Sequence, residues 1–563
     1  MGHLCPMIWN KRQTGFSEAL NGNPLTRLLA ARGVDQWEVF SNPLGLSEHD
    51  PFLMKDMDQA VALLLNHLDR GSKILVFGDY DVDGTCSVAL VMSVLKQADA
   101  NCVSYIPDRY EEGYGFSETG AHWAIQEGVN LIITLDCGTK DGPRIAHCRH
   151  AGIDVIVCDH HEPDILPAAN AVLNPKRKDC SYPFQGLSGC AVGYKLMQAC
   201  AQTKGWPMEW VSATIDLVAV AACADIVPMM DENRAMVAKG LQMMQQNMRP
   251  GLKGLIAFSG AKDRAWSVSD IVFLLAPRIN AAGRIASGNA AVSLLLAKDP
   301  AEVTSMAAQI EEYNKSRRSI DQNVTAEALE KWDSDPFNAD AFVNVLWDES
   351  WLKGVIGIVA SRVLEKHYRP TIVFTKSHDL WAGSARSIEG VDIYAALEAC
   401  KEELVQFGGH TMAAGMSLKE ENLLTFRTKF NEVVRESLNG VRPVPVVLYD
   451  IELEMHEVNI DWVKALNGFA PCGPDNMAPV FLLRGLTNAF PPRQIGGDGK
   501  HLKCAFRQGN NGKYLDAIGF NMAQEIDMIL AGPVDVLCAL EINEYNGRIS
   551  VQMNLKGIRP TQS

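Results

Sequence analysis

The sequence predicts an α/β protein: a parallel-sheet domain, long helices, a smaller α/β domain and a C-terminal β-barrel. Three observations carry that expectation. Between about 55 and 230, short apolar runs alternate with amphipathic helix-like stretches. Residues 297–333 contain almost no strand formers and are rich in Ala, Glu, Gln and Lys. Beyond 441, short alternating segments are separated by Gly, Asn and Pro.

Residues 1–50 read as an irregular segment punctuated by Pro24 and Pro43. Over 51–295, the runs at 73–77, 102–106, 130–135, 154–158 and 171–173 read as strands, with helices such as 85–97 and 117–127 between them. Strand and helix repeated in this way give a parallel sheet covered on both faces. Residues 296–337 read as connecting helices, stopped by the turn-rich DSDPFN. A second α/β unit is expected over 338–440, and VRPVPVV opens a barrel domain over 441–563.

With 563 residues, 47 % hydrophobic and 21 % charged, the chain is long enough for three or four folded domains of about 100–200 residues each. Collagen, a coiled-coil rod and a disordered chain are excluded. The net charge of −15 offers no general basic surface, so a polyanion would need a local basic groove or metal ions. The densest apolar run, 217–224, stops at Asp225, far short of the roughly 20 residues of a membrane span. No leader pattern opens the sequence, and a cytoplasmic location is expected. The 14 cysteines form no C-x-x-C pair, which fits reduced, buried thiols and argues against a zinc site or a disulfide framework.

The predicted strands end in metal-competent side chains. KILVFGDYDVDG closes on Asp79, Asp81 and Asp83, NLIITLDCG on Asp136, and DVIVCDHHE on Asp159, His160 and His161. In an open parallel sheet the carboxyl ends of the strands share one edge, where ligands bind. Clustered carboxylates repel unless cations neutralise them. An EF-hand reading of D-x-D-x-D-G fails, because the acid due eleven residues after Asp79 is Leu90. A lone Asp at a strand end is ordinarily a cap or turn residue, but three strand ends with the same chemistry favour a divalent-metal site. Asp225 closes a nearly all-apolar helix and needs a partner; Asp216 could substitute for it or simply cap the helix. Mixed Asp and His donors suit two Mn²⁺ or Mg²⁺ ions better than zinc. Such a pair can activate a water and stabilise the leaving oxygen, so phosphoester hydrolysis is the expected chemistry.

DYDVDGT, LDCG, CDHHEP and DLVAVAACADIVP, in that order, resemble the motifs of the DHH phosphoesterase superfamily. IPDRYEEGYG, APRINAAGR, WLKGVIGIVASR, WAGSARSI and FGGHTMAAG narrow the likeness to the RecJ family of single-strand-specific exonucleases. FAPCGPDNMAPVF, GKHLK and NEYNGRISVQ resemble that family's oligonucleotide-binding (OB-fold) domain. The resemblance implies a DHH domain, a DHHA1-like domain and an OB-fold, and hydrolysis of single-stranded DNA from its 5′ end to mononucleotides in repair and recombination. It implies Asp81, Asp83, Asp136, His160, His161 and Asp225 as metal ligands, with Asp79 and Asp159 as motif acids that ligate or orient imidazoles. Arg278, Ser384 and Arg386 match phosphate contacts, Arg109 and Arg284 lie in the same motifs, and His410 is placed to reach the scissile phosphate.

Planar guanidinium groups suit phosphate on chemical grounds alone. Asn314, Arg317 and Arg318 read equally well as a solvated helix face or as the lining of a DNA channel. In the barrel, Phe506, Lys500, Lys503, Tyr545 and Arg548 read equally well as strand-gripping or as ordinary core and turn residues. The implied partner is single-stranded DNA, with a helicase and a single-strand-binding protein as further candidates, and the chain is expected to be a monomer. The sequence departs from the family pattern at Leu352, Ala385 and 472–477. Two competing readings are a non-catalytic DNA-binding scaffold and a phosphodiesterase for short oligonucleotides or cyclic dinucleotides. The filled ligand positions oppose the first, and the OB-like domain opposes the second.

Overall fold

The computed structural model describes residues 7–12, 22–260, 265–285, 287–497, 499–509, 512–545 and 547–561, with the side chain of Tyr545 outside them. The chain divides into two compact units. One contains Glu48–Val227 and Lys239–Pro445, the other Pro6–Ser47, Pro228–Ala238 and Val446–Ser563.

The first unit opens with β1 (Ile74–Gly78), α1 (Val82–Gln97), β2 (Cys102–Tyr105), α2 (Glu118–Gln126), β3 (Leu131–Leu135), α3 (Gly142–His150), β4 (Asp154–Cys158) and β5 (Ala171–Leu173). All strands pair in parallel, in the order β2-β1-β3-β4-β5. Strand β1 reads ILVFG and is buried at every position, as a sheet covered on both faces requires. On one face α2 and α3 contribute Ala121, Ala124, Ile145 and Cys148 to the core of Phe77, Ile132 and Val155. The other face carries α1 and α4 (Gly189–Lys204), which pack on each other and on α5 (Ile215–Ala224). This strand order reverses between β1 and β3, and ligand sites in such sheets lie at the strand ends flanking that point.

Helices α6 (Pro250–Ala257), α7 (Ala276–Ile285) and α8 (Gly288–Leu296) lead into α9 (Pro300–Ser334), where a single 35-residue helix replaces the expected set of connecting helices. The buried positions of α9 are Val303, Ala307, Ile310, Asn314, Arg317, Asp321, Val324 and Ala328, with Glu311 beside them. They alternate by four and three residues, one stripe along the helix. Its apolar ends pack on α6, α7 and α8 at one side and on β6 (Asn344–Trp347) and α10 (Ile356–Lys366) at the other. Its middle is polar. Pro336 follows the helix closely, as expected of a residue that cannot continue it.

The second sheet of this unit adds β7 (Thr371–Ser377), β8 (Leu380–Arg386), β9 (Leu404–His410) and β10 (Ala413–Leu418), backed by α11 (Leu423–Ser437). Its order is β9-β10-β8-β7-β6, with only β6 and β7 parallel. Two of the departures from the family pattern are absorbed here. Ala385 is fully buried in β8, and Leu352 packs against the Val355–Val359 cluster.

The second unit is a barrel of β11 (Phe481–Ile495), β12 (His501–Gln508), β13 (Tyr514–Gly519), β14 (Val534–Tyr545) and β15 (Arg548–Pro560). The order β11-β12-β13-β15-β14 closes through pairing of β14 with β11, and β13 runs parallel to β15. The expectation of an irregular segment over 1–50 is corrected here. Ile8–Lys11 forms a strand parallel to Val446–Tyr449, and helix Pro24–Arg32 buries Leu28 and Ala31 in the barrel core. Asn23 caps that helix by accepting from Thr26 N–H at 2.9 Å, Pro24 occupies its first turn, and Gly33 ends it at φ 66°.

Candidate metal centre and phosphate pocket

The carboxyl ends of β1, β3 and β4 bring the predicted ligands together. Asp79 leaves β1 fully buried, and its Oδ1 accepts from Gly115 N–H at 3.3 Å. Asp81 caps α1, accepting from Gly84 N–H at 3.1 Å. Asp83 sits inside the first turn of α1 and accepts from the first two N–H groups of α4, Gly189 at 2.6 Å and Cys190 at 2.8 Å. A helix N-terminus therefore supports that carboxylate. Glycine is needed at Gly84, where any Cβ would collide with the Asp79 backbone, and at Gly189, where it would meet Asp136 Cβ at 2.6 Å.

Asp136 ends β3 at φ 59°, a left-handed conformation uncommon outside glycine and a recurrent feature of functional sites. His160 Nε2 lies 3.2 Å from Asp136 Oδ1, 3.6 Å from Asp225 Oδ2 and 3.8 Å from Asp83 Oδ2. Burial, and then the charge of His161, lower the His160 pKa to about 3, so its ring is neutral at physiological pH. Burial raises Asp83 to about 7 and Asp225 to about 9, with the neighbouring carboxylates adding to both shifts. Asp136 and Asp79 are raised by the same causes. Asp79 Oδ2 and Asp136 Oδ1 are buried without any hydrogen-bond donor. Buried acceptors that converge without donors suit a cation. Three overlapping sets place one donor atom per residue within 4.8 Å of each other: Asp79/Asp81/Asp136, Asp83/His160/Asp225 and Asp136/His160/His161.

Asp159 is the exception among the expected ligands, and the structure turns it to positioning. Its Oδ1 accepts from the N–H of His160 at 2.7 Å and of His161 at 3.2 Å and pairs with His161 Nδ1 at 2.7 Å, while Oδ2 accepts from Thr139 N–H at 2.9 Å. Burial would raise its pKa, but these contacts with His161 and His160 hold it well below the usual carboxylate range. Asp159 thus aims His161, whose Nε2 remains for other partners. That nitrogen lies 2.8 Å from the hydroxyl of Tyr114, a residue unassigned from sequence although it stands in IPDRYEEGYG. His410, at the end of β9, stacks on His161 with ring centroids 5.9 Å apart and planes at 19°. Asp216 is buried and held by Arg249 through two 2.7 Å contacts, which removes it as a substitute for Asp225.

Beside these acceptors lies a cluster of donors. The Arg109 guanidinium sits 4.5 Å from the ring centre of Tyr80, between Asp79 and Asp81 in sequence. Arg284 donates to Gly354 O at 2.7 Å, and Tyr110 donates to Arg284 O. Arg386 donates to Ser384 Oγ at 3.2 Å and to Ala385 O at 2.7 Å. Burial, followed by the charges of Arg109, Arg317 and Arg386, lowers Arg284 to about 9. Burial and Arg109 likewise lower Arg386. From the polar middle of α9, Arg317 donates to Asn314 Oδ1 at 2.7 Å, yet Arg317 Nε and Asn314 Nδ2 stay buried without acceptors. Crowded guanidinium groups with unmet donors suit an anion.

Arg278 does not join this cluster. It is buried in α7, pairs with Glu311 at 2.8 Å and donates to Leu274 O at 2.7 Å, so its expected phosphate role is corrected to a structural one. Arg317, which spacing along α9 left as either solvated helix face or channel lining, is buried and lies beside Arg284. In the barrel, Phe506 is fully buried core and is corrected as a stacking candidate. Lys500 is exposed before β12, and Lys503 on β12 stands opposite Arg493 of β11. Exposed Phe490 and Tyr514 pair with centroids 5.0 Å apart, and exposed Phe520 lies 5.4 Å from the half-buried His501.

Fold and site together define a DHH phosphoesterase. The family model described as "DHH family, N-terminal domain" matches residues 73–222, the DHHA1 domain matches 338–436 and the RecJ OB domain matches 449–557. The chain belongs to the RecJ family. It is 35 % identical over 551 residues to the single-stranded-DNA-specific exonuclease RecJ of Bacillus subtilis, covering 96 % of this chain and 68 % of that one. It is 33 % identical to the Escherichia coli RecJ over 561 residues, covering 95 % and 96 %. The crystal structure of Thermus thermophilus RecJ in complex with Mn²⁺ matches at a TM-score of 0.80 and 28 % identity, over 96 % of this chain and 76 % of that one. The same protein in complex with Mg²⁺ matches at 0.76 and 27 % identity, over 96 % and 75 %.

Proposed function

We propose that this chain is a metal-dependent exonuclease that degrades single-stranded DNA from its 5′ end and releases 5′-mononucleotides. The observation that carries the reading is the juxtaposition, through Tyr80, of unpaired carboxylate acceptors with a crowd of guanidinium donors. One half suits divalent cations and the other a terminal phosphate.

Asp79, Asp81, Asp83, Asp136, His160, His161 and Asp225 would hold two Mn²⁺ or Mg²⁺ ions. When bound, such ions lower the pKa of water and stabilise charge on the phosphoryl oxygens. The protein's own work is orientation. Asp159 fixes the His161 ring, α4 anchors Asp83, and the neutral His160 sets its Nε2 among the oxygens of three carboxylates, where a cation would share them. Burial, with the Lys140 and His161 charges, keeps the His410 pKa below its ordinary value. His410 stacked on His161 therefore stands as a hydrogen-bond partner for the scissile phosphate. Arg109, Arg284, Arg317, Arg386 and Ser384 would hold the 5′ phosphate and so fix which end enters.

The barrel by itself supports a grip on single-stranded DNA through Phe490, Tyr514, Phe520 and His501, with Lys500 and Lys503 as backbone contacts. Within this reading the chain is a monomer and acts in repair and recombination, on strands that a helicase opens and a single-strand-binding protein covers. The test uses Mn²⁺ and long single-stranded DNA labelled at either end, with a duplex and Asp81→Ala protein as controls. Mononucleotides released from the 5′ end alone, and absent with Asp81→Ala, are expected. Intact long DNA with loss of di- to pentanucleotides would overturn the reading in favour of a short-oligonucleotide enzyme.

A further inference from the structure

We propose that Glu118, His122 and His147 form a second metal site, for a zinc-class transition cation, on the solvent side of α2 and α3. The three residues offer donor atoms within 4.8 Å of one another. Glu118 Oε1 lies 3.8 Å from His122 Nδ1 and 3.7 Å from His147 Nδ1. The two imidazoles meet at 79° with centroids 5.2 Å apart. Donors at 2.0–2.1 Å around a tetrahedral ion stand roughly 3.3–3.4 Å apart. The two Glu118–imidazole separations therefore lie within about half an ångström of that spacing, and rotation of the exposed side chains closes the rest.

The backbone holds these donors in place. Glu118 and His122 are one turn apart on α2 and share a face. The opposite faces of the two helices bury Ala121, Ala124, Ile145 and Cys148 in one core, which fixes α3, and with it His147, against α2. Three protein donors leave a fourth position for water. Two imidazoles and one carboxylate favour zinc, nickel or copper over manganese and magnesium. The carboxylate-rich clusters at the strand ends have the opposite preference. A site without cysteine also lies outside the reach of an argument from thiol spacing.

The consequence is a brace behind the catalytic loops. Helix α2 follows the segment in which Gly115 holds Asp79 and Tyr114 meets His161, and α3 follows Asp136. Phe116 N–H already donates to Asp141 Oδ2 at 2.9 Å across the two segments. A cation bound to all three residues would tie these helices a second time.

The experiment titrates zinc by calorimetry into full-length, metal-stripped protein whose catalytic centre has first been saturated with Mn²⁺. One further equivalent is expected, together with a rise in thermal midpoint. Glu118→Gln, His122→Gln and His147→Gln should each weaken that event by more than about 100-fold, beyond the 10–100-fold typical of outer-shell partners. Each variant should keep the metal-free thermal midpoint and Mn²⁺-dependent cleavage of the parent. Absence of the extra equivalent in the parent overturns the site, and so does its persistence in the triple variant, which would place the zinc at the catalytic centre.

Discussion

Two carboxylates that look alike in sequence do different work in the structure. Asp83 faces the ligand cluster from the first turn of α1 and takes two helix N–H groups, whereas Asp159 spends both oxygens on the backbone and ring of its neighbours. Replacing Asp83 with Ala is expected to abolish cleavage and leave DNA binding largely in place; turnover at the parental rate would remove Asp83 from the site. Asp159→Ala should act through His161 instead. Its Mn²⁺ affinity is expected to fall about 10–100-fold, with activity recovering at high Mn²⁺. A titration of rate against Mn²⁺ separates the two cases. The strand-end acids were legible because each strand announced itself by an apolar run and stopped on a metal-competent residue. The division of labour was not legible, because the second oxygen of Asp159 is taken by Thr139 N–H, a backbone group 20 residues away that only the fold brings near. Arg278 misled for the same reason. Its motif suits phosphate, but Glu311, 33 residues away on another helix, claims it.

At the scale of elements, α9 carries two kinds of contact on one stripe. Its apolar ends are fixed by packing, and its polar middle sets Arg317 beside Arg284. Glu311→Ala would leave Arg278 charged, 3 % exposed and unpaired, and removal of one partner from a buried pair costs about 3–5 kcal/mol. Urea unfolding should show that loss, and Glu311→Gln should recover part of it through a neutral hydrogen bond. The far end of α9 makes a pH prediction. His367 stacks on Trp332 with ring centroids 3.4 Å apart. Burial, with the charges of Lys366 and Arg369, lowers its pKa to about 4 from the ordinary 6.5. A depressed histidine in the folded state means that the unfolded chain binds the proton first. Its contribution to stability is therefore complete above about pH 6.5 and is lost as pH falls toward about 4. The thermal midpoint of His367→Phe protein should be less sensitive to pH than the parent's across that window. A parallel decline in both proteins would assign the acid sensitivity elsewhere.

The whole chain sets an acidic background against local basic sites. A net charge of −15 disfavours polyanions everywhere except where cations are concentrated, as at Arg109, Arg284, Arg317 and Arg386. The same organisation explains what the sequence could not reveal about its own beginning. Residues 8–11 and 24–32 read as irregular because a four-residue strand and a nine-residue helix carry little periodicity of their own. Their stability comes from Val446–Tyr449 and the barrel core, more than 400 residues later in the chain. Removing 446–563 should therefore leave Leu28 and Ala31 without their core and lower the solubility of the remainder, so that contributions of the barrel to binding are better tested by salt and strand length. If the four guanidinium groups together hold the one 5′ phosphate of a short strand, log K should fall only shallowly against log salt, with a slope of about −1, from roughly −0.7 per phosphate contact. Long single-stranded DNA that also engages Lys500, Lys503 and the exposed aromatics should show a steeper slope and a higher affinity. Measured by fluorescence anisotropy with a cleavage-deficient Asp83→Ala protein, equal slopes for five- and thirty-nucleotide strands would confine recognition to the pocket at the 5′ end. A steeper slope for the longer strand alone would assign the barrel a direct share in holding the substrate.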